Sequence, residues 1–434
     1  MKRILTLILL ALAGAPLHAQ PPHAQPLQAQ PLPLAVDLRT VLGFARDASL
    51  AVALEQSQVD AASAGRLEAA ALPNPTLSYN RQRQPGRLTN FDSDRAQEWT
   101  IEQPLLLGGQ RGARIDAASR AVDAASARVA LTRHEVASEA AMAHVALLLA
   151  QERLATVKAG LDELARLRQV VDGRLAGGLA SEYEAIRVEV EEATWRARVA
   201  EAEAALVERQ TALAQALGVA GWRPVARGAL APFAPLRGHA AAVRPEAHPE
   251  VLLARREEDA ASALVDVARA ERMPAVSVNV GRFWTSKPYG GTTGIGVAVE
   301  LPLFDRRKGG LDKAKAQAGA AALQRELSEA RHSAEVDSMA RLVAQHGHAL
   351  DDFRRRAGAR TADLKRMAHD SYRLGKTSIA ELLDATRGGV ELALAEQELV
   401  AQLMEAQLRL ESATGELLRR TSADGVRSSS RPAD

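Results

Sequence analysis

The spacing of apolar side chains along this chain switches between two periods, and the whole cycle occurs twice. Leu38 to Ala71 reads as helix, and Pro73 and Pro75 stop it because proline cannot donate into the next turn. Leu77 and Tyr79 then alternate with Ser78 and Asn80, the two-residue period of a strand. The polar loop QPGRLTNFDSD leads to a returning strand, in which Trp99 and Ile101 alternate with Thr100 and Glu102, ending at Pro104. The second cycle has a helix over Glu246–Arg272, a stop at Pro274, and Val276, Val278 and Val280 alternating with Ser277, Asn279 and Gly281. The loop SKPYGGTTG follows, then Ile295, Val297 and Val299 alternate with Gly296, Ala298 and Glu300 up to Pro302. The bounding prolines are 29 residues apart in one hairpin (75–105) and 28 in the other (274–303).

Each hairpin gives way to a long helical region. The first runs from about Arg111 to Val171 without a proline, with Val122, Val129, Val136 and Ala143 seven apart. The last carries Leu399, Leu403, Ala406, Leu410, Ala413 and Leu417, whose spacing of four and three is a coiled-coil seam. About 60 residues at ~1.5 Å each make a rod of roughly 90 Å, longer than a compact domain needs. Gly173–Gly178 and Gly375 mark the turns where one rod reverses into the next.

The two cycles are a repeat. Asp60-Ala61-Ala62-Ser63-Ala64 recurs as Asp259-Ala260-Ala261-Ser262-Ala263, 199 positions on, and the same offset carries Pro75 to Pro274, Arg174-Leu175 to Arg373-Leu374 and Glu182 to Glu381. Repeat 1 covers 37–222 and repeat 2 covers 240–422, joined by a connector over 223–239; a disordered tail is expected over 423–434. Ahead of them, Lys2 and Arg3, an apolar run to Ala15 and the small residue Ala19 read as a secretory signal peptide over 1–19. The Pro/Gln-rich residues 20–36 read as an extended lead-in.

Composition narrows the function. A net charge of +2 over 434 residues gives no reason to expect a nucleic-acid partner. The absence of cysteine excludes disulfides, thiol chemistry and a lipid-modified cysteine. Half of the few aromatic residues lie in the hairpin regions: Tyr79, Phe91, Trp99, Phe283, Trp284, Tyr289 and Phe304. Four strands cannot close on themselves, and an open pair of hairpins leaves bare edges. Two solutions stand: a small soluble sandwich lying on the helices, or a lipid-facing barrel with aromatic girdles, closed by further copies. Three copies supply twelve strands.

The stretches LPNPTLSYN (72–80), IEQPLLLGGQRGARIDAA (101–118), MPAVSVNVG (273–281), VAVELPLFDRRKGG (297–310) and SYRLGKTSIAELLDAT (371–386) occur in the order of a known family. Over nearly the whole mature chain the sequence resembles the TolC-like outer-membrane efflux proteins. The LLLGGQRGAR stretch is most similar to the outer-membrane component of cobalt–zinc–cadmium type exporters. The resemblance implies a mainly α fold with transmembrane β: a homotrimer with a 12-stranded β-barrel in the outer-membrane lipid and a helical coiled-coil barrel across the periplasm. It implies an exit duct, not an enzyme, with no cofactor, docked on a periplasmic adaptor protein and an inner-membrane efflux pump. It also implies site residues. Glu381 and Asp384 match acidic positions at the constricted tunnel end. Glu182 is the counterpart of Glu381 at the repeat offset, where Ala185 replaces the second acid, and Tyr372, three residues before Gly375, is read from that spacing as a latch donating to an acid of a neighbouring helix pair. Arg174, Leu175, Arg373, Leu374 and Gly375 are expected adaptor contacts. Three copies of a carboxylate around a narrow axis attract cations and bias what passes.

Other readings are an adaptor of the membrane-fusion type, a drug or organic-compound duct of the same family, and a purely structural coiled coil. His346-Gly347-His348 reads as a surface pair in a helix rather than a metal site, and Gly294-Ile295-Gly296 opens no helix and is no dinucleotide loop. No catalytic constellation stands out.

Overall fold

The computed structural model describes residues 32–83, 95–234, 248–285 and 290–421. The expected signal peptide, most of the lead-in, the hairpin loops at 84–94 and 286–289 and the tail over 423–434 fall outside these residues. From Leu34 onward the chain forms one unit, helical apart from six strands. The helices are α1 (Leu38–Asp47), α2 (Leu50–Ala70), α3 (Gln110–Ala176), α4 (Glu182–Ala216), α5 (Pro249–Ala270), α6 (Lys308–Phe353), α7 (Ala359–Arg373) and α8 (Ile379–Ala413). The strands are β1 (Ala35–Val36), β2 (Thr76–Arg83), β3 (Arg95–Leu105), β4 (Val225–Ala226), β5 (Val276–Thr285) and β6 (Gly291–Val299). No helix of the described residues is long and apolar enough to cross a membrane.

The first rod, α3, is 67 residues long, close to 100 Å at ~1.5 Å per residue. It is the hub, packing against α1, α2, α4, α5 and α8. Its small residues allow close approach. A Cβ on Gly160 would stand 2.4 Å from the Trp195 ring of α4, so glycine is required for that indole to lie on the rod. The Trp195 ring N–H donates to Glu191 of its own helix, which leaves no buried donor unpaired.

Several expectations need correction. The stretch Leu38–Ala71 is two helices. Asp37 caps the first through Thr40 N–H, and Ser49 caps the second through Ala51 N–H, so a serine that reads as mid-helix restarts the chain. The last helix ends at Ala413, short of Leu417, because Gly415 adopts φ +71° and closes it. The rod of the second repeat is interrupted: α6 ends at Phe353, a π turn covers Arg354–Gly358, and α7 resumes. The connector is pinned at two points. Val225–Ala226 pair in parallel with Ala35–Val36, the end of the lead-in. Gln151 brackets Ala226 with two backbone bonds of 2.7 and 3.0 Å, and Gln407 does the same for Phe233 at 2.9 and 3.1 Å.

Candidate functional site

The two hairpins form one antiparallel sheet in the order β2-β3-β5-β6. β3 and β5 join the repeats in continuous register from Ala96–Thr285 to Leu105–Val276. Cross-strand pairing sorts the side chains into rows. One face carries the row Leu77, Ile101, Val280 and Ile295, a second of Gln103, Val278 and Val297, and a third of Leu105, Val276 and Val299. The other face carries Thr76, Ser78, Asn80, Glu98, Thr100, Glu102, Ser277, Asn279 and Thr292, with Phe283 as its one large apolar side chain. Glu102 accepts from the Ser277 hydroxyl at 2.6 Å on that polar face. The apolar face is uncovered: Ile295 is 79% exposed, Val297 66% and Leu77 63%. β2 and β6 are edges, each paired on one side only among the described residues.

At the far ends of the rods, the two turns are built alike. Gly178 and Gly375 take φ +69° and +67°, the left-handed conformation that costs glycine nothing. Leu179 N–H returns to Arg174 O at 2.8 Å, and Lys376 N–H to Ser371 O at 2.9 Å, so both rods end in a Schellman turn. Three residues on, Ser181 with Glu184 and Ser378 with Glu381 form reciprocal capping boxes that open α4 and α8. This geometry matches the tips at an offset of 197, not 199. Glu184, rather than Glu182, is therefore the structural counterpart of Glu381. Glu182, Glu381 and Asp384 are all exposed. The Glu381 carboxylate accepts from Ser378 N–H at 3.3 Å.

Tyr372 is not at the surface. It is 2% exposed, packed with Leu167, Val171, Ile379, Leu382 and Leu383 beneath the turns of its own chain. Its hydroxyl is buried without a hydrogen-bond partner. Burial and then the Glu184 charge raise its pKa, against the pull of Arg174, so the phenol stays neutral. The latch expected toward a neighbouring helix pair is thus replaced, within one chain, by a packed ring. Arg174 lies over that ring at 4.9 Å and donates to Tyr372 O at 3.1 Å and Leu179 O at 3.3 Å. It ties the two tips together. Leu175, Arg373, Leu374 and Gly375 stay exposed.

Sequence reasoning missed the capping boxes, although Ser-x-x-Glu occurs at both tips. It also missed a buried imidazole cluster in the middle of the rods. His248, the cap of α5, stacks on His332 of α6 at 4.2 Å and meets His134 of α3 edge-on at 5.0 Å. Burial first, then repulsion from His332 and His134, lower the His248 pKa to about 4. No spacing signals this trio, because three separate helices supply it. Among the described residues no group of three or more His, Asp or Glu is arranged to hold a metal ion. His346 and His348 stay apart from the trio, on α6.

An uncovered apolar sheet face, a polar face behind it and rods of this length form one design, and the sequence families decide which. Residues 44–219 and 246–416 match the family described as outer membrane efflux protein. The chain belongs to that family. As a member it is an outer-membrane efflux protein. It is 29% identical over 292 residues to the cobalt-zinc-cadmium resistance protein CzcC of Cupriavidus metallidurans, covering 65% of this chain and 66% of that protein. It is 30% identical over 301 residues to the nickel and cobalt resistance protein CnrC of the same organism, covering 66% and 68%. The alignments thus span about two thirds of the length of these curated relatives. The Campylobacter jejuni CmeC outer membrane channel shares the fold at a TM-score of 0.74 and 14% identity, over 88% of this chain and 86% of that one.

Proposed function

We propose that three copies of this chain assemble into the exit duct of a three-part export system, conducting heavy-metal cations from an inner-membrane pump and a periplasmic adaptor to the exterior. One observation carries the reading: a four-stranded sheet with two bare edges and an uncovered apolar face. Such a sheet is unstable in water, and closure by β6 of one copy on β2 of the next removes every edge. Twelve strands then turn the apolar face to lipid and the Glu98 and Glu102 face to the pore. The rods of three copies continue the wall into the periplasm, from tandem repeats over 37–222 and 240–422 that follow a signal peptide over 1–19.

Metal cations are the proposed cargo because the relatives above are named for resistance to cobalt, zinc, cadmium and nickel. At the tip, exposed Glu381 and Asp384 form the carboxylate ring that attracts cations, with Glu182 beside it, and Tyr372 sets the packing beneath. Leu175, Arg373, Leu374 and Gly375 meet the adaptor, and Arg174 holds them in place. The test is conductance in planar bilayers. The wild type should form cation-preferring channels, and Glu381→Gln with Asp384→Asn should lose that preference while still conducting. Absence of channels from correctly extracted protein would overturn the duct. Unchanged cobalt, zinc and cadmium tolerance in cells lacking the chain would overturn the cargo.

A further inference from the structure

We infer that the lipid-facing side of the sheet carries a belt of arginines at its loop end that binds the phosphate groups of a negatively charged membrane lipid. This inference rests on the barrel reading above. Register defines the belt. Tyr79, Trp99, Arg282 and Thr293 form one row, Arg81, Gln97, Trp284 and Gly291 the next, and Arg95 stands one step further toward the loops. Arg81, Arg95 and Arg282 are all exposed. The acids of the strands, Glu98 and Glu102, alternate onto the opposite face and so cannot neutralise them. Arg282 leans toward the loops: its guanidinium lies 3.5 Å from where a Cβ on Gly291 would stand.

The contrast with the other end of the same face gives the belt its meaning. The three rows nearer the helices contain ten side chains and no charge. Tyr79 and Trp99, in ring contact at 4.5 Å, and Trp284 mark the boundary between the two zones. Aromatic rings settle at the edge of the hydrocarbon, and arginine stems run along it with their heads at the phosphates. A guanidinium held there gains from a bidentate phosphate oxygen pair. The rods leave from the opposite end of the sheet into an aqueous compartment, so the belt lies in the outer leaflet. Closure of β6 on the next β2 brings Arg282 of one copy near Arg81 of another and makes the belt continuous. The occupant is a lipid, because the belt is continuous with a hydrocarbon-facing surface.

The test uses the purified full-length protein in phosphatidylcholine vesicles, with or without bisphosphorylated lipid A, and with dephosphorylated lipid A as the control. Binding is read by quenching of tryptophan fluorescence by labelled lipid. Wild type should bind the phosphorylated form, and the triple variant Arg81→Gln, Arg95→Gln, Arg282→Gln should bind roughly a hundredfold more weakly. The triple Arg→Lys variant should recover part of the affinity, which separates charge from folding. Dephosphorylated lipid A and inorganic phosphate should leave the signal unchanged. Equal binding by wild type and the Gln variant, or competition by inorganic phosphate, would overturn the belt alone. Failure of both proteins to enter any vesicle would overturn the barrel reading and the belt with it.

Discussion

Deep in the helical body, Trp195 and Leu164 are each 1% exposed, whereas on the apolar face of the sheet Leu77, Ile101, Val280, Ile295, Val297 and Val299 lie open. Both regions follow the same rule that apolar side chains leave water. The helices satisfy it largely within one chain, through close contacts such as Trp195 on Gly160, while Leu54, Val190, Leu323 and Met367 stay exposed on their outer faces. The sheet satisfies it only with a different solvent. The difference teaches that this fold is two solubility problems joined end to end, with the Gly108-Gly109 and Leu301–Phe304 joints between them.

Substitutions that respect this division should have separable effects. The largest is Trp195→Ala, which leaves a cavity against the rod and should cost about 3–5 kcal/mol. Thermal unfolding in detergent should show it as a loss of helical stability, with insertion into vesicles unchanged. Next comes Ile101→Arg on the apolar face, at ~2–4 kcal/mol per copy near mid-bilayer. It should abolish insertion while leaving helical content intact, and Ser78→Arg on the polar face should insert normally.

The imidazole cluster comes third. His248 has a folded pKa of about 4, below the ordinary value near 6.5. The unfolded chain therefore takes up a proton that the fold refuses. Stability is complete above pH ~6.5 and falls as pH drops toward 4, by up to about 3 kcal/mol. Denaturant midpoints at pH 7 and pH 5 should show the loss. His248→Asn keeps a cap acceptor for Glu250 N–H and should flatten most of the slope. His134 and His144, lowered chiefly by burial, supply the remainder. The smallest effect is Ser378→Ala, about 1 kcal/mol at the start of α8. Hydrogen exchange should accelerate at Ile379–Leu383 and nowhere in the sheet.

The hairpins, the rods and their turns were legible because each depends on local pattern: two-residue alternation, prolines at the ends, glycines at positive φ. That four strands must find partners was legible too, but the pairing of β3 with β5 that joins the two hairpins into one sheet was not. The missed features depend on distance in sequence. The β1–β4 pair has two residues per strand and is held by Gln151 from a third element. The split at Ser49 turns on a single cap, and the π turn at Arg354–Gly358 has no proline to announce it. At the tips, Glu381 and Asp384 were named through the family resemblance and are exposed, but the burial of Tyr372 was not read. An aromatic beside a glycine turn looks the same whether it faces the axis or the core. Offset matching paired Glu182 with Glu381, because identity of residues is weaker evidence than the Ser181 and Ser378 capping geometry.

The most direct measurement exploits the absence of cysteine. In one chain β2 and β6 are separated by two strands, so at ~4.8 Å per strand spacing they stand roughly 14 Å apart. A disulfide needs its Cβ atoms within about 4.5 Å. Ser78→Cys on β2, combined in turn with Thr292→Cys, Gly294→Cys or Gly296→Cys on β6, can therefore bridge only between copies. The account predicts that one of these pairs oxidises in membranes to a ladder that stops at three chains. Bridges in none of them, with the protein monomeric and soluble without detergent, would contradict it.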